Sequence, residues 1–117
     1  MRFLLSNKFK SSASRYFTEQ SLDELLSRLT ESPAVGKLIP GYNGARKMRF
    51  PDRVLRRGQR GGLRIIYDYD SDDEVILLYF AYRKTEQSDI LPHQRGYIQQ
   101  IQITDFTEGD IWEIRKN

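Results

Sequence analysis

The sequence predicts one domain built from both helices and strands, and three stretches carry that expectation. Ser21-Leu-Asp-Glu24 runs into leucines at helical spacing, Ala45 to Phe50 alternates as a half-buried strand does, and two strand-like runs flank an acidic turn. A chain of 117 residues is long enough to bury roughly two thirds of its unfolded surface around a single core.

In chain order, the apolar MRFLLS reads as a short edge strand or a fraying terminus, and SSASRYFTEQ as one or two amphipathic turns. The capping box Ser21/Glu24 then starts a helix whose Leu22, Leu25, Leu26 and Leu29 share a face, ending before Pro33. Gly36, Pro40, Gly41 and Gly44 mark a shaped loop. In the strand from Ala45 to Phe50, Lys47 and Arg49 point one way and Met48 and Phe50 the other. Arg46 falls by parity on the apolar side, so it should sit at the strand start, where it reaches solvent or an acid.

Pro51 closes that strand. DRVLRRGQRGG has no apolar period and three glycines, which predicts a mobile basic loop from Asp52 to Gly62. Leu63 to Tyr69 and Val75 to Tyr82 form a hairpin; VILLYFAY is apolar at both parities and should be a central strand covered on both faces. Five acids between Asp68 and Glu74 keep its tip soluble rather than bind a metal, because their spacing lacks a calcium-loop pattern. A helix follows from Pro92 to about Ile103. DFTEGDIWEIRKN, with the only tryptophan, forms a further turn or adds a strand to the sheet edge, and folding back over the basic face is one arrangement open to it.

Charge is distributed unevenly. Lys37 to Arg64 holds nine of the nineteen basic residues and one acid, a net +8 in a chain whose total is +3. Crowding of this kind suits a polyanion, so the stretch reads as a nucleic-acid face. No apolar run approaches the ~20 residues of a membrane span, Met1 to Leu5 is too short for a signal peptide, and a cytoplasmic location is expected. Cysteine is absent, which excludes disulfides, thiolate metal sites and a cysteine nucleophile; with one histidine, His93, no multi-histidine cluster is available and no cofactor is expected.

Two kinds of chemistry suit such a face. Binding alone needs only cations against phosphates, with a log–log salt slope of roughly −0.7 per contact on a single strand. Metal-independent RNA cleavage needs a base for the 2′-hydroxyl, a cation for the phosphorane and an acid for the leaving 5′-oxygen. Arg64, after Gly61-Gly62, is a planar donor suited to the developing charge, worth roughly 10²- to 10³-fold if placed as oxyanion donors are. Lys47 or Lys84, with an ammonium pKa lowered by neighbouring cations, could serve as base or acid. Tyr82 could assist the leaving group or stack on a base. Arg46, Arg49, Arg56, Arg57, Arg60 and Arg83 would hold the RNA, while Tyr67, Tyr69, Tyr79 and Phe80 belong to the core.

Three blocks in order, PAVGKLIPGYNGARKMRF, RGQRGGLRIIYDYD and LLYFAYRKTEQSDI, within Pro33 to Ile90 and covering about half the chain, resemble the RelE/HigB toxins of bacterial type II toxin–antitoxin modules. The likeness, to the HigB-like branch of the RelE/ParE superfamily, extends to YFTEQSLDELLSRLTE. It implies a small α+β domain, RelE-like, with N-terminal helices packed on a twisted, mainly antiparallel sheet, a C-terminal helix and the basic face on the sheet's open side. It also implies a ribosome-dependent mRNA endoribonuclease that leaves a 2′,3′-cyclic phosphate and a 5′-hydroxyl, inhibits translation, and is neutralised by an antitoxin, often of helix-turn-helix type. The family's R-K-x-R strand looks like Arg46, Lys47 and Arg49; its arginine after paired glycines looks like Arg64; its K-N-E lysine looks like Lys84. This chain departs from the pattern at Lys84-Thr85-Glu86 and at Arg83, where a small residue is usual, and Ala45 stands for a leucine. Two non-enzymatic readings remain: a ParE-like topoisomerase inhibitor, or a degenerate toxin that only binds its antitoxin or RNA.

Overall fold

A computed structural model describes residues 1–58 and 60–108. Strand β1 (Arg2–Ser6) leads without a loop into α1 (Asn7–Tyr16), because the Ser6 hydroxyl caps the helix, accepting from the Phe9 N–H at 3.1 Å while donating to the Tyr79 carbonyl. One serine thus ends the strand, starts the helix and fixes both to the sheet. Helix α2 (Glu19–Glu31) begins three residues earlier than the Ser21 cap the sequence suggests. Its cap is Thr18, whose side chain accepts from the Ser21 N–H at 3.0 Å while Ser21 Oγ accepts from the Thr18 N–H at 2.8 Å. A serine fills the place of the glutamate in the capping box, and Glu24 is left to meet Arg28 and Arg53 on the surface. Leu22, Leu25, Leu26 and Leu29 are buried along one face as their spacing predicts.

Strands β2 (Lys37–Leu38), β3 (Arg46–Phe50), β4 (Leu63–Asp70), β5 (Val75–Arg83) and β6 (Phe106–Glu108), with β1, make a six-stranded sheet in the order β2-β3-β4-β5-β1-β6. Every pairing is antiparallel except β1 with β5, which is parallel. The chain is therefore an α+β domain with a mainly antiparallel sheet. Strand β1 is not the edge strand the sequence suggests: it lies between β5 and β6. Phe106 to Glu108 extends the sheet beside β1, the edge-strand option for the terminal stretch, while residues 109–117 lie outside the described residues.

Helices α1 and α2 cover one face. Phe9, Ala13, Leu25 and Leu29 pack there with Met48, Phe50, Leu63, Ile65, Ile76 and Leu78. The opposite face holds a smaller cluster, in which Ile98 of α3 (Pro92–Gln100) meets Ile66, Phe80, Tyr82 and Ile90. Strand β5 is buried at both parities, which is why VILLYFAY shows no alternation. The second face is thus not an open one: α3 occupies part of it.

Candidate nucleic-acid interface

Register decides which cations meet. Lys47 pairs across from Ile66, and Arg49 stands directly opposite Arg64, which in turn stands opposite Tyr82. Arg49, Arg64 and Tyr82 consequently form one row across three strands, on the face away from α1 and α2. Like charges set directly opposite each other on a sheet oppose its pairing. A fold that keeps such a pair gains nothing in stability from it, and places of this kind mark function.

Lys84 joins the row from beyond the end of β5. Its N–H donates to the Gly62 carbonyl at 2.9 Å, extending the β4–β5 ladder by one step. Gly62 is needed for this approach, since a Cβ there would lie 2.5 Å from the Phe50 carbonyl oxygen and 2.7 Å from that of Gly58. Gly61 has no such constraint; a Cβ there would meet nothing within 4 Å. Of the glycine pair before Arg64, one is steric necessity.

Strand β2 pairs only with Arg46 and Lys47, leaving the rest of the β3 edge bordering a cleft of about 540 Å³. Arg28, Lys37, Lys47, Arg49, Arg64 and Lys84 line it with Val35 and Met48, and no acid among the described residues does. Four cations singled out in the sequence, Lys47, Arg49, Arg64 and Lys84, are therefore brought together, and Arg28 and Lys37 are additions. Arg28 projects from α2, where helical spacing gave its charge no separate meaning.

Arg64 is the most enclosed of the set, at 6% exposure. Its guanidinium donates to the Leu63 carbonyl and to the Arg60 carbonyl, both at 3.1 Å, so its plane is fixed by backbone. Burial first, and Arg49 second, draw its pKa below the ordinary arginine value. It stays a cation at any physiological pH. Tyr82 is 2% exposed, and its hydroxyl has no hydrogen-bond partner among the described residues. Burial, reinforced by the Asp89 carboxylate, pushes that phenol up to about 12, so it remains protonated and keeps a proton to donate. A ring so enclosed does not offer a stacking surface.

The remaining candidates stand elsewhere. Arg46 lies on the helix side at the start of β3 as parity predicts; it is half-buried, and it donates to the Gly36 carbonyl at 2.8 Å and the Ala34 carbonyl at 3.3 Å. Arg83 also points to the helix side. Its Nε is 2.8 Å from the Asp52 carboxylate, its Nη2 donates to the Arg15 carbonyl at 2.9 Å, and its guanidinium covers the Tyr16 ring. It therefore builds the fold rather than the basic face. Arg56, Arg57 and Arg60 are exposed, and none lines the cleft.

Residues 52–57 are not the unconstrained loop their text suggests. Asp52 and Arg57 exchange two backbone hydrogen bonds at 2.8 Å, and Asp52 Oδ1 accepts from the Leu55 N–H at 2.9 Å. Sequence reasoning also passed over Asp89. Its carboxylate lies 3.3 Å from Lys47 Nζ and 3.8 Å from the Arg95 guanidinium. Lys47 therefore faces a carboxylate as well as the neighbouring cations expected around it. Lys84 Nζ donates to the Ser88 carbonyl at 2.6 Å. His93 is exposed, and among the described residues no group of three His, Cys, Asp or Glu side chains is placed to hold a metal ion. No helix among them is long and apolar enough to cross a membrane. Compared with models of known protein families, the sequence matches none.

Proposed function

We propose that this chain is a RelE/HigB-like toxin: a ribosome-dependent endoribonuclease that cuts messenger RNA by attack of a 2′-hydroxyl on the adjacent phosphate, and is neutralised by a cognate antitoxin. The observation that carries the reading is the cross-strand row Arg49–Arg64–Tyr82, flanked by Lys47 and Lys84 at one cationic cleft. It is where the three blocks of family resemblance converge.

In that reaction the 2′-oxygen bonds to phosphorus as its proton leaves, and the bond to the 5′-oxygen breaks as that oxygen gains a proton. The products are a 2′,3′-cyclic phosphate and a 5′-hydroxyl. Arg64, fixed by two carbonyls, donates to the phosphorane's non-bridging oxygens, and Arg49 adds charge beside it. Lys47 and Lys84 flank the attacked phosphate and handle the protons. Tyr82 is a protonated phenol with an unpartnered hydroxyl, which suits donation to the leaving oxygen once that hydroxyl is uncovered.

A second reading has its own support. Lys47 is held by Asp89 and Lys84 by the Ser88 carbonyl, an arrangement that suits a protein binding RNA or an antitoxin without cutting. Synthesis of a reporter in a bacterial translation extract separates the two. Cleavage predicts that the protein stops synthesis and that Arg64→Ala restores it. Undiminished synthesis with folded protein would remove the nuclease and favour the binding reading.

A further inference from the structure

Asp89 brings a carboxylate to the cationic face beside Lys47, and three features of its setting are informative. First, two cations from distant parts of the chain converge on it, Lys47 from β3 and Arg95 from α3. Second, its position is set by its own segment. Oδ1 accepts from the Ile90 N–H at 2.7 Å and its carbonyl accepts from Gln87 Nε2 at 3.1 Å, while Gln87 also donates to Gln94 and Gln94 accepts from the Leu91 N–H. The carboxylate is thus held in place whether or not the cations come to it. Third, both ion pairs are half open to water, with side-chain exposures of 37% for Lys47, 51% for Arg95 and 56% for Asp89. Pairs so exposed contribute little and are readily exchanged.

We infer that Lys47 and Arg95 form a subsite for an RNA backbone phosphodiester, and that Asp89 occupies it in the free protein as an internal stand-in for the phosphate. A carboxylate and a phosphodiester both present two oxygens sharing one negative charge, so they compete for the same pair of donors. The incoming phosphate also releases condensed counterions, which Asp89 does not, and this favours exchange at low salt. Because Lys47 also lines the cleft, the subsite adjoins the Arg49–Arg64 row and would hold a phosphate flanking the one at Arg64. The inference rests on the nucleic-acid reading of the face but not on cleavage.

The test is binding of a labelled 2′-deoxy single strand, which lacks the attacking hydroxyl, followed by anisotropy over a range of salt. Asp89→Asn keeps the oxygen that accepts from Ile90 and removes the charge. It should bind about two- to fivefold more tightly at about 0.1 M salt, with a slope steeper by about 0.7. In a Lys47→Gln/Arg95→Gln background the gain should vanish. Asp89→Ser serves if the amide variant does not fold. An unchanged or weaker affinity, or the same gain in the double-substituted background, would overturn the inference. If Arg49→Ala and Arg64→Ala leave wild-type binding unaltered, the nucleic-acid reading of the face falls and the subsite with it. A gain as stated, from a protein that leaves messenger whole in translating ribosomes, would uphold the subsite and sink only the nuclease.

Discussion

Arg83 and Asp52 meet in an ion pair 2.8 Å long, with Asp52 only 1% exposed, and this pair turns Arg83 away from the face where its neighbour Lys84 stands. The same aspartate closes the basic turn 52–57 through its backbone and its second carboxylate oxygen. Charge that looks available to RNA in the sequence is used here to tie the turn to β5 and α1. Removing Arg83 leaves a buried carboxylate without its partner, a loss of about 3–5 kcal/mol. Arg83→Ala should therefore show a markedly lower urea midpoint, while RNA affinity per folded molecule stays close to wild type. A stable variant with weakened RNA binding would return Arg83 to the interface.

The two glycines before Arg64 should respond differently to the same change. Gly61→Ala adds a methyl into open space, whereas Gly62→Ala drives one against the carbonyls of Phe50 and Gly58. The second substitution must shift the backbone that carries Arg64 and receives the Lys84 N–H, at a cost of about 3 kcal/mol. Thermal melts of the two variants check this, and equal melting temperatures would contradict it.

Tyr82 sets stability against use. A buried hydroxyl without a partner is costly, so Tyr82→Phe should stabilise the fold by up to about 1 kcal/mol, read as a rise of a few degrees in Tm. If the hydroxyl protonates the leaving oxygen, the same variant loses cleavage. A Tm that falls would mean that the hydroxyl is bonded in solution.

Alkaline titration tests the burial of the second face. Tyr79 and Tyr82 are both pushed up to about 12 by burial, against about 10 for an open phenol. Their raised values mean that the unfolded chain loses these protons first as pH rises. The stability they confer is complete below about pH 10 and is lost between about pH 10 and 12. Burial raises Tyr67 as well, so phenolate absorbance should show three of the seven tyrosines ionising late, together with loss of near-ultraviolet dichroism. Ionisation of all seven near pH 10 with the fold intact would contradict the packing.

Local text carried much of this architecture. Alternation at Lys47 to Phe50 fixed which cations share a face, and the leucine spacing of α2 fixed its buried side. Nonlocal pairings were not legible. Strand β5 is apolar at both parities, so nothing in it announces that β1 adds to it in parallel. Ser21 reads as the cap rather than as the partner of Thr18 because a serine can sit at either end of a capping box. Arg83 reads like its neighbours, and it is nonlocal partners, Asp52 31 residues away and the Arg15 carbonyl 68 residues away, that distinguish it. Asp89 carries no local signal at all: a single acid before an apolar pair looks like a solvated turn.

The most direct measurement of the central claim is primer extension on a defined messenger held in translating ribosomes, comparing the wild type with Arg64→Ala and Lys84→Ala. The account predicts cuts within A-site codons that are lost in both variants, with naked RNA left intact. Folded wild-type protein that leaves the messenger whole would contradict it, and the cationic cleft would then be a binding surface without chemistry.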